Sequence, residues 1–258
     1  ALLDRSPMLA FTDEMPAAMR GRTTQMGIDH QALFAPLTKA TTRLDAANCR
    51  AIVESSARLA LAERPGPVHI GLPVGMSAQS AGDGRGEVVA AQSPPRATSA
   101  ALAECARLLF AAHKPLLVLG LAAVRSNAAS AVLALAEQLQ APVVLTPMAK
   151  GLVSESHPLY AGVLFHALSD VVAETYGQAD LVLAVGYDPV EMNYEQWMPV
   201  VPLLNLDTVP VDIDAQACSE VVDVVGEIGH SLAYLNEQKF AAGNWDIDAL
   251  AERRADMF

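Results

Sequence analysis

The sequence predicts an α/β protein: a doubly wound parallel sheet preceded by part of a second α/β domain. Three observations predict it. Continuous apolar runs such as Leu116-Leu117-Val118-Leu119 and Leu181-Val182-Leu183-Ala184-Val185 each end in glycine, as strands buried on both faces do. Segments of helical period lie between such runs. Of the 258 residues, 52% are apolar but only 5% are aromatic, a mix rich in Ala, Leu and Val that suits helices packed on a parallel sheet better than a β-sandwich.

Taken in order, the chain opens on a strand, Met8-Leu9-Ala10-Phe11-Thr12, with little before it. A polar, glycine-containing loop from Pro16 to His30 and an apolar stretch from Ala32 to Leu37 follow. The spacing of Ile52, Ala57, Leu59 and Ala60 predicts a helix from Ala46 to Glu63. Arg64-Pro65-Gly66-Pro67 stops it, because proline lacks the amide donor and glycine admits turn dihedrals. Val68-His69-Ile70-Gly71-Leu72 is the next strand, ending at Pro73. A strand, a loop, a helix and a strand are only part of a sheet, so residues 1–78 read as the end of a domain. Residues 79–96, with Gly82-Asp83-Gly84 and Ser93-Pro94-Pro95, have the character of an interdomain linker.

A helix from Ser99 to Ala112 then places Leu102, Cys105, Ala106 and Leu109 on one face. Beyond it strands and helices alternate. The strands are Leu116 to Leu119, Pro142 to Thr146, Leu181 to Val185, Leu203 to Leu206, Val209 to Ile213 and Val221 to Val225. The helices begin at a Ser126-Asn127 cap and run to Gln140, then from Ser169 to Tyr176 and from Ile228 to Glu237. Strands joined by crossover helices give a right-handed, Rossmann-like sheet over residues 97–240. Gly243 to Phe258 reads as a charged run without a packed partner, and residues 241–258 as the start of a connection to a further domain.

The formal charge of −12, with no basic cluster to offset it, repels phosphate backbones and excludes a nucleic-acid partner. No apolar run approaches the roughly 20 residues of a membrane span, so no membrane partner is expected. Cys49, Cys105 and Cys218 are odd in number and far apart, which fits small core residues in a reducing cytoplasm rather than a metal site or disulfides.

Few residues carry chemistry on physical grounds. Gly120 and Gly186 each follow a buried strand, where open α/β sheets bind ligands, so they would either admit a nucleotide phosphate or simply let a strand turn into a helix. The residues after Gly120 lack the further glycines of a dinucleotide fingerprint, which counts against a nicotinamide-binding domain. Asp212 and Asp214 fall on one side of a predicted strand without a third ligand, and His69, His157 and His166 show no ligand spacing. No Gly-x-Ser-x-Gly elbow and no Walker-type loop occurs. No residue reads as a nucleophile or general base.

One stretch is far more specific. Thr146-Pro147-Met148-Ala149-Lys150-Gly151, followed by Glu155, His157-Pro158 and Gly162, resembles the central-domain signature of the thiamine-diphosphate-dependent enzymes of the pyruvate oxidase, pyruvate decarboxylase and acetolactate synthase type. Lys114-Pro115 through Gly120, Ala179-Asp180 through Gly186, Val211 to Asp214 and Val224 to Ile228 resemble further elements of that domain. Leu33 to Lys39 and Arg64 to Pro73 resemble the end of the family's pyrimidine-binding domain. The matches run in order along nearly the whole chain. Leu119 to Ala123 and Gly186-Tyr187-Asp188-Pro189-Val190-Glu191, with Trp197, are most similar to the catabolic, flavin-independent acetolactate synthases.

The resemblance implies a parent enzyme that decarboxylates a small 2-oxo acid such as pyruvate on thiamine diphosphate and Mg²⁺, then joins the bound fragment to an acceptor, as a homo-oligomer (dimer or tetramer). It also implies that the activating glutamate and the Gly-Asp-Gly magnesium motif are not among these residues, since Gly82-Asp83-Gly84 follows no buried apolar strand and reads as a flexible turn, so the fragment itself is expected to be structural, non-catalytic and free of both cofactors. The alternative is a nucleotide-binding module for FAD, ADP or CoA, with Gly120, Thr146, Lys150, Gly151, Gly162, Gly186 and Asp188 as its site. FAD is the less favoured outcome, because Tyr187 and Asp188 stand where flavin-containing relatives carry an arginine. Relatives place a substrate-facing glutamine three residues before the aspartate matching Asp29; Met26 stands there, with Gln25 beside it. Lys39 matches a lysine lining the substrate approach, and reads equally as a solvated lysine at a strand end.

Overall fold

The computed structural model describes residues 1–25, 27–82, 93–164, 169–192 and 198–255. Met26, His166, Trp197 and the 83–92 part of the expected linker lie outside the described residues. The chain forms two compact units, Ala1–Ser93 and Pro94–Phe258.

In the first unit β1 (Met8–Glu14), β2 (Ala40–Arg43) and β3 (Pro67–Pro73) make a parallel sheet in the order β1-β3-β2. Alternation along β3 sends Val68 and Ile70, 1% and 0% exposed, to one face and His69 to the other. A short helix α1 (His30–Phe34), capped by the Asp29 carboxylate, stacks the Phe34 ring on His69 with centroids 4.1 Å apart. Helix α2 (Cys49–Leu61) packs on β1 and β3 after a 3-10 turn, Ala46–Asn48, begun by Asp45. Sequence reasoning found α2 but not β2. The run Ala40-Thr41-Thr42-Arg43 is half-buried and largely polar, so it lacks the apolar signal of a central strand.

The second unit is a six-stranded parallel sheet in the order β6-β5-β4-β7-β8-β9. Its strands are β4 (Pro115–Leu119), β5 (Val143–Leu145), β6 (Tyr160–Val163), β7 (Leu181–Val185), β8 (Pro202–Asp207) and β9 (Glu220–Val225). The strand order reverses between β4 and β7, which makes the sheet doubly wound as expected. Every residue of β4, β5 and β7 is buried, the reason these strands read as continuous apolar runs.

The helices of this unit are α3 (Ser99–Ala111), α4 (Leu121–Arg125), α5 (Ala129–Leu139), α6 (Ser169–Tyr176), α7 (Ile228–Glu237) and α8 (Ile247–Ala255). Two apolar cores lie on the two faces. Leu117, Leu119, Leu183 and Leu204 pack with α3, α5 and α7 in one; Leu116, Val118, Val182 and Leu203 pack with Val172 of α6 and Leu250 of α8 in the other. Among the described residues no helix is long and apolar enough to cross a membrane.

Four details differ from the sequence reading. A separate helix α4 starts directly after Gly120, and Asn127 (φ 51°) turns the chain between α4 and α5 instead of capping a longer helix. Val209 to Ile213 is a loop rather than a strand. Asn205 Nδ2 donates to Val209 O at 3.3 Å and the Val211 amide donates to Asp223 Oδ1 at 2.9 Å, so side chains take its backbone groups from a ladder. Tyr160–Val163, inside the signature stretch, is the edge strand β6. Residues 243–255 are not a run without a partner. Trp245 and Leu250 are buried, Trp245 Nε1 donates to Pro115 O at 2.8 Å, and Arg254 donates to His157 O at 2.8 Å.

Candidate functional site

The crevice of an open α/β sheet lies at the carboxyl ends of its strands, where their order reverses. Here that is the ground between β4 and β7, and the chain crosses it twice at close range. Gly120 follows β4 and Gly186 follows β7 in the left-handed region (φ 61°). The Gly120 amide donates to Val185 O at 3.0 Å and the Ala122 amide donates to Gly186 O at 3.0 Å. A methyl group on Gly120 would lie 2.4 Å from Gly186 O, and one on Gly186 would lie 2.2 Å from the Ala123 nitrogen. Both glycines are therefore used for backbone-to-backbone approach.

What fills the crevice is Glu191. Its Oε1 accepts the Leu121 amide at 2.9 Å and the Asp188 amide at 3.3 Å, and its Oε2 accepts the Thr146 hydroxyl. The Asp188 carboxylate accepts the Val190 amide at 3.1 Å, closing a reciprocal capping box with Glu191 around the turn Pro189–Glu191. Burial raises the Glu191 carboxyl above its ordinary range, as does the nearby Asp188; the three hydrogen bonds oppose that shift.

Of the residues expected at a nucleotide site, Gly120, Thr146, Gly186 and Asp188 come together here. Lys150 and Gly151 do not; they lie on the exposed turn after β5, with the Lys150 ammonium 3.5 Å from Glu155. Gly162 sits in β6 at the sheet edge. In the sequence Glu191 stands out only as the last residue of the Gly186–Glu191 resemblance. The Asp-x-x-Glu spacing of a capping box could have singled it out.

The first unit carries the other expected residues. Gln25 is exposed. Lys39 turns onto α2, its ammonium donating to Leu59 O at 2.6 Å and Ala62 O at 2.7 Å, the carbonyls at that helix's end. Burial lowers its pKa, an effect the neighbouring Glu63 opposes. Beside it runs an unpredicted polar chain. His69 Nε2 is 2.8 Å from Thr12 Oγ1 and its Nδ1 is 2.6 Å from Thr41 Oγ1. Thr41 donates to Gln31 Oε1 at 2.7 Å, and Gln31 donates to Glu14 Oε1 at 2.5 Å. Arg43 Nε donates to Glu14 Oε2 at 2.5 Å. Glu14 and Arg43 stand at strand ends, against a cavity of about 240 Å³ that Arg20, Arg22 and Asp29 also line. Among the described residues no cluster of three His, Cys, Asp or Glu could hold a metal ion.

Comparison with known proteins gives this architecture a family. Residues 102–235 match the model of the thiamine pyrophosphate enzyme central domain. Acetolactate synthase from Arthrospira platensis is 26% identical over 93% of this chain and 43% of its own length. A Pseudomonas aeruginosa protein named as a probable 2-ketoarginine decarboxylase is 32% identical over 83% of this chain and 38% of its own length. A Mycobacterium smegmatis structure assigned as a thiamin diphosphate-dependent enzyme shares the fold, with a TM-score of 0.76 and 23% identity over 95% of this chain and 48% of that one. The chain thus spans less than half the length of these relatives. By its central domain, the chain belongs to the thiamine pyrophosphate enzyme family.

Proposed function

We propose that this chain is the scaffold portion of a thiamine-diphosphate-dependent decarboxylase and carboligase resembling acetolactate synthase. In this reading residues 1–78 belong to a pyrimidine-binding domain, residues 79–96 link it onward, and the central domain begins near residue 97. The parent, a cytoplasmic homo-oligomer, decarboxylates a small 2-oxo acid and transfers the remaining unit to an acceptor. Groups outside these 258 residues supply the activating carboxylate and the magnesium ligands. The observation that carries the proposal is the coincidence of the family match at 102–235 with a sheet whose strand ends are tied to one another through Glu191.

The test is calorimetry of this chain with thiamine diphosphate and Mg²⁺, run beside a pyruvate-consumption assay. Activation requires a carboxylate at the aminopyrimidine, and the diphosphate requires a cation held by oxygen ligands. The expected outcome is no saturable heat and no turnover. Saturable binding or turnover by these residues alone would overturn the scaffold reading.

A further inference from the structure

The crevice at the reversal point has the chemistry of an anion site. Three donors converge there from three different strand ends: the Leu121 amide after β4, the Thr146 hydroxyl after β5 and the Asp188 amide after β7. Thr146 is fully buried and Asp188 is 7% exposed, so water is a poor substitute for a missing acceptor at either. A single group, the Glu191 carboxylate, accepts from all three. Its Oε1 would lie only 2.8 Å from a methyl on Gly120, so the absent side chain at that position makes the room it uses. The Asp188 carboxylate, occupied with the Val190 amide, adds a second negative charge beside it.

We infer that the crevice is an anion-binding site whose resident anion is the protein's own Glu191 carboxylate, which closes the central domain to the phosphates of a nucleotide. An incoming phosphate would have to displace Glu191 from donors it already satisfies, or share the crevice with two carboxylates. Gly120 and Gly186 cannot serve as phosphate-facing glycines either, because Gly120 is pressed against the Gly186–Tyr187 backbone and Gly186 against the Ala122–Ala123 backbone. The inference concerns this domain's own strand ends and stands whether or not the parent forms acetolactate. Glu191 is a positioning residue here: it ties the ends of β4, β5 and β7 and decides what the crevice accepts.

The experiment is chemical rescue. Glu191→Ala empties the crevice and leaves three donors facing it, so its melting temperature should fall by several degrees. Sodium formate at tens of millimolar, against chloride at equal ionic strength, should recover a substantial part of that loss while leaving the unaltered protein unchanged. ADP and FAD should give no saturable heat with the unaltered protein. Rescue that is absent, or equal in both proteins, would show that Glu191 contributes packing only. Saturable ADP or FAD binding to the unaltered protein would overturn the closure. Should Glu191→Ala fail to fold, NMR of the unaltered protein decides. The Leu121 amide should shift with a midpoint above the ordinary glutamate range, and that titration should vanish in Glu191→Gln. A Leu121 amide that does not titrate, or that titrates alike in both proteins, overturns the inference.

Discussion

At Gly71 a methyl group would sit 2.2 Å from Glu14 Oε1 and 2.4 Å from Glu14 Cδ, so the carboxylate lies in the space a side chain would need. Glu14 is 6% exposed, and burial alone would raise its pKa. Hydrogen bonds from Gln31 and Arg43, together with the Arg43 charge, outweigh that and hold it below the usual 4.5. A depressed folded-state value means that Glu14 stabilises the fold above the unfolded-state pKa, and that this contribution is lost as pH falls through the folded value. Glu14→Gln should therefore cost about 2 kcal/mol at neutral pH, the scale of a charged hydrogen bond, and should flatten the acid limb of the stability curve below about pH 4.5. Chemical denaturation at a series of pH values checks this; an unchanged acid limb would show that Glu14 is not the titrating group. At this scale the sequence was least legible. Gly120 and Gly186 were visible as strand-ending glycines, but not their partners, the Gly186–Tyr187 backbone for the first and the Ala122–Ala123 backbone for the second. Glu191 takes its donors from residues 45 and 70 positions away, a closure that only the folded sheet creates.

Elements were legible where they form apolar runs: β9 was found although one of its six residues is buried, and β6 was missed although three of its four are. The strands β4 and β7, buried along their whole length, announce themselves as apolar runs. Half-buried β2 and the edge strand β6 do not. Residues 243–255 show the same limit from the other side. Helix α8 buries Leu250 alone among its residues, so its composition reads as a charged run. Its anchoring comes from Trp245, 7% exposed, whose indole donates to Pro115 O while Lys114 Nζ lies 5.3 Å from its ring centroid. Trp245→Ala removes a large buried ring and one hydrogen bond, and should destabilise the second unit by about 3–5 kcal/mol. Trp245→Phe, which keeps most of the area but loses the donor, should cost nearer 1 kcal/mol. Equal melting of the alanine variant and the unaltered protein would return these residues to the status of an appended tail.

For the second unit as a whole, the fold class was readable because a sheet buried on both faces imposes a pattern on every strand. The same architecture makes a quantitative prediction. Leu135 of α5, 0% exposed, belongs to the core on one face; Val172 of α6, 1% exposed, belongs to the core on the other. The buried sheet lies between them, and neither side chain belongs to the other's cluster. Leu135→Ala should cost about 2–5 kcal/mol through lost transfer energy and the cavity left behind. Val172→Ala removes less volume and should cost less. Because the two sites lie in separate clusters with the sheet between them, the two losses should add to within about 0.5 kcal/mol in the double variant. Had the two clusters been one continuous core, relaxation around the first cavity would change the cost of the second, and coupling of about 1 kcal/mol or more would appear. Urea unfolding of the two single variants and the double variant measures the difference directly. Coupling well beyond 0.5 kcal/mol would mean that the sheet bends with its contents and does not partition them.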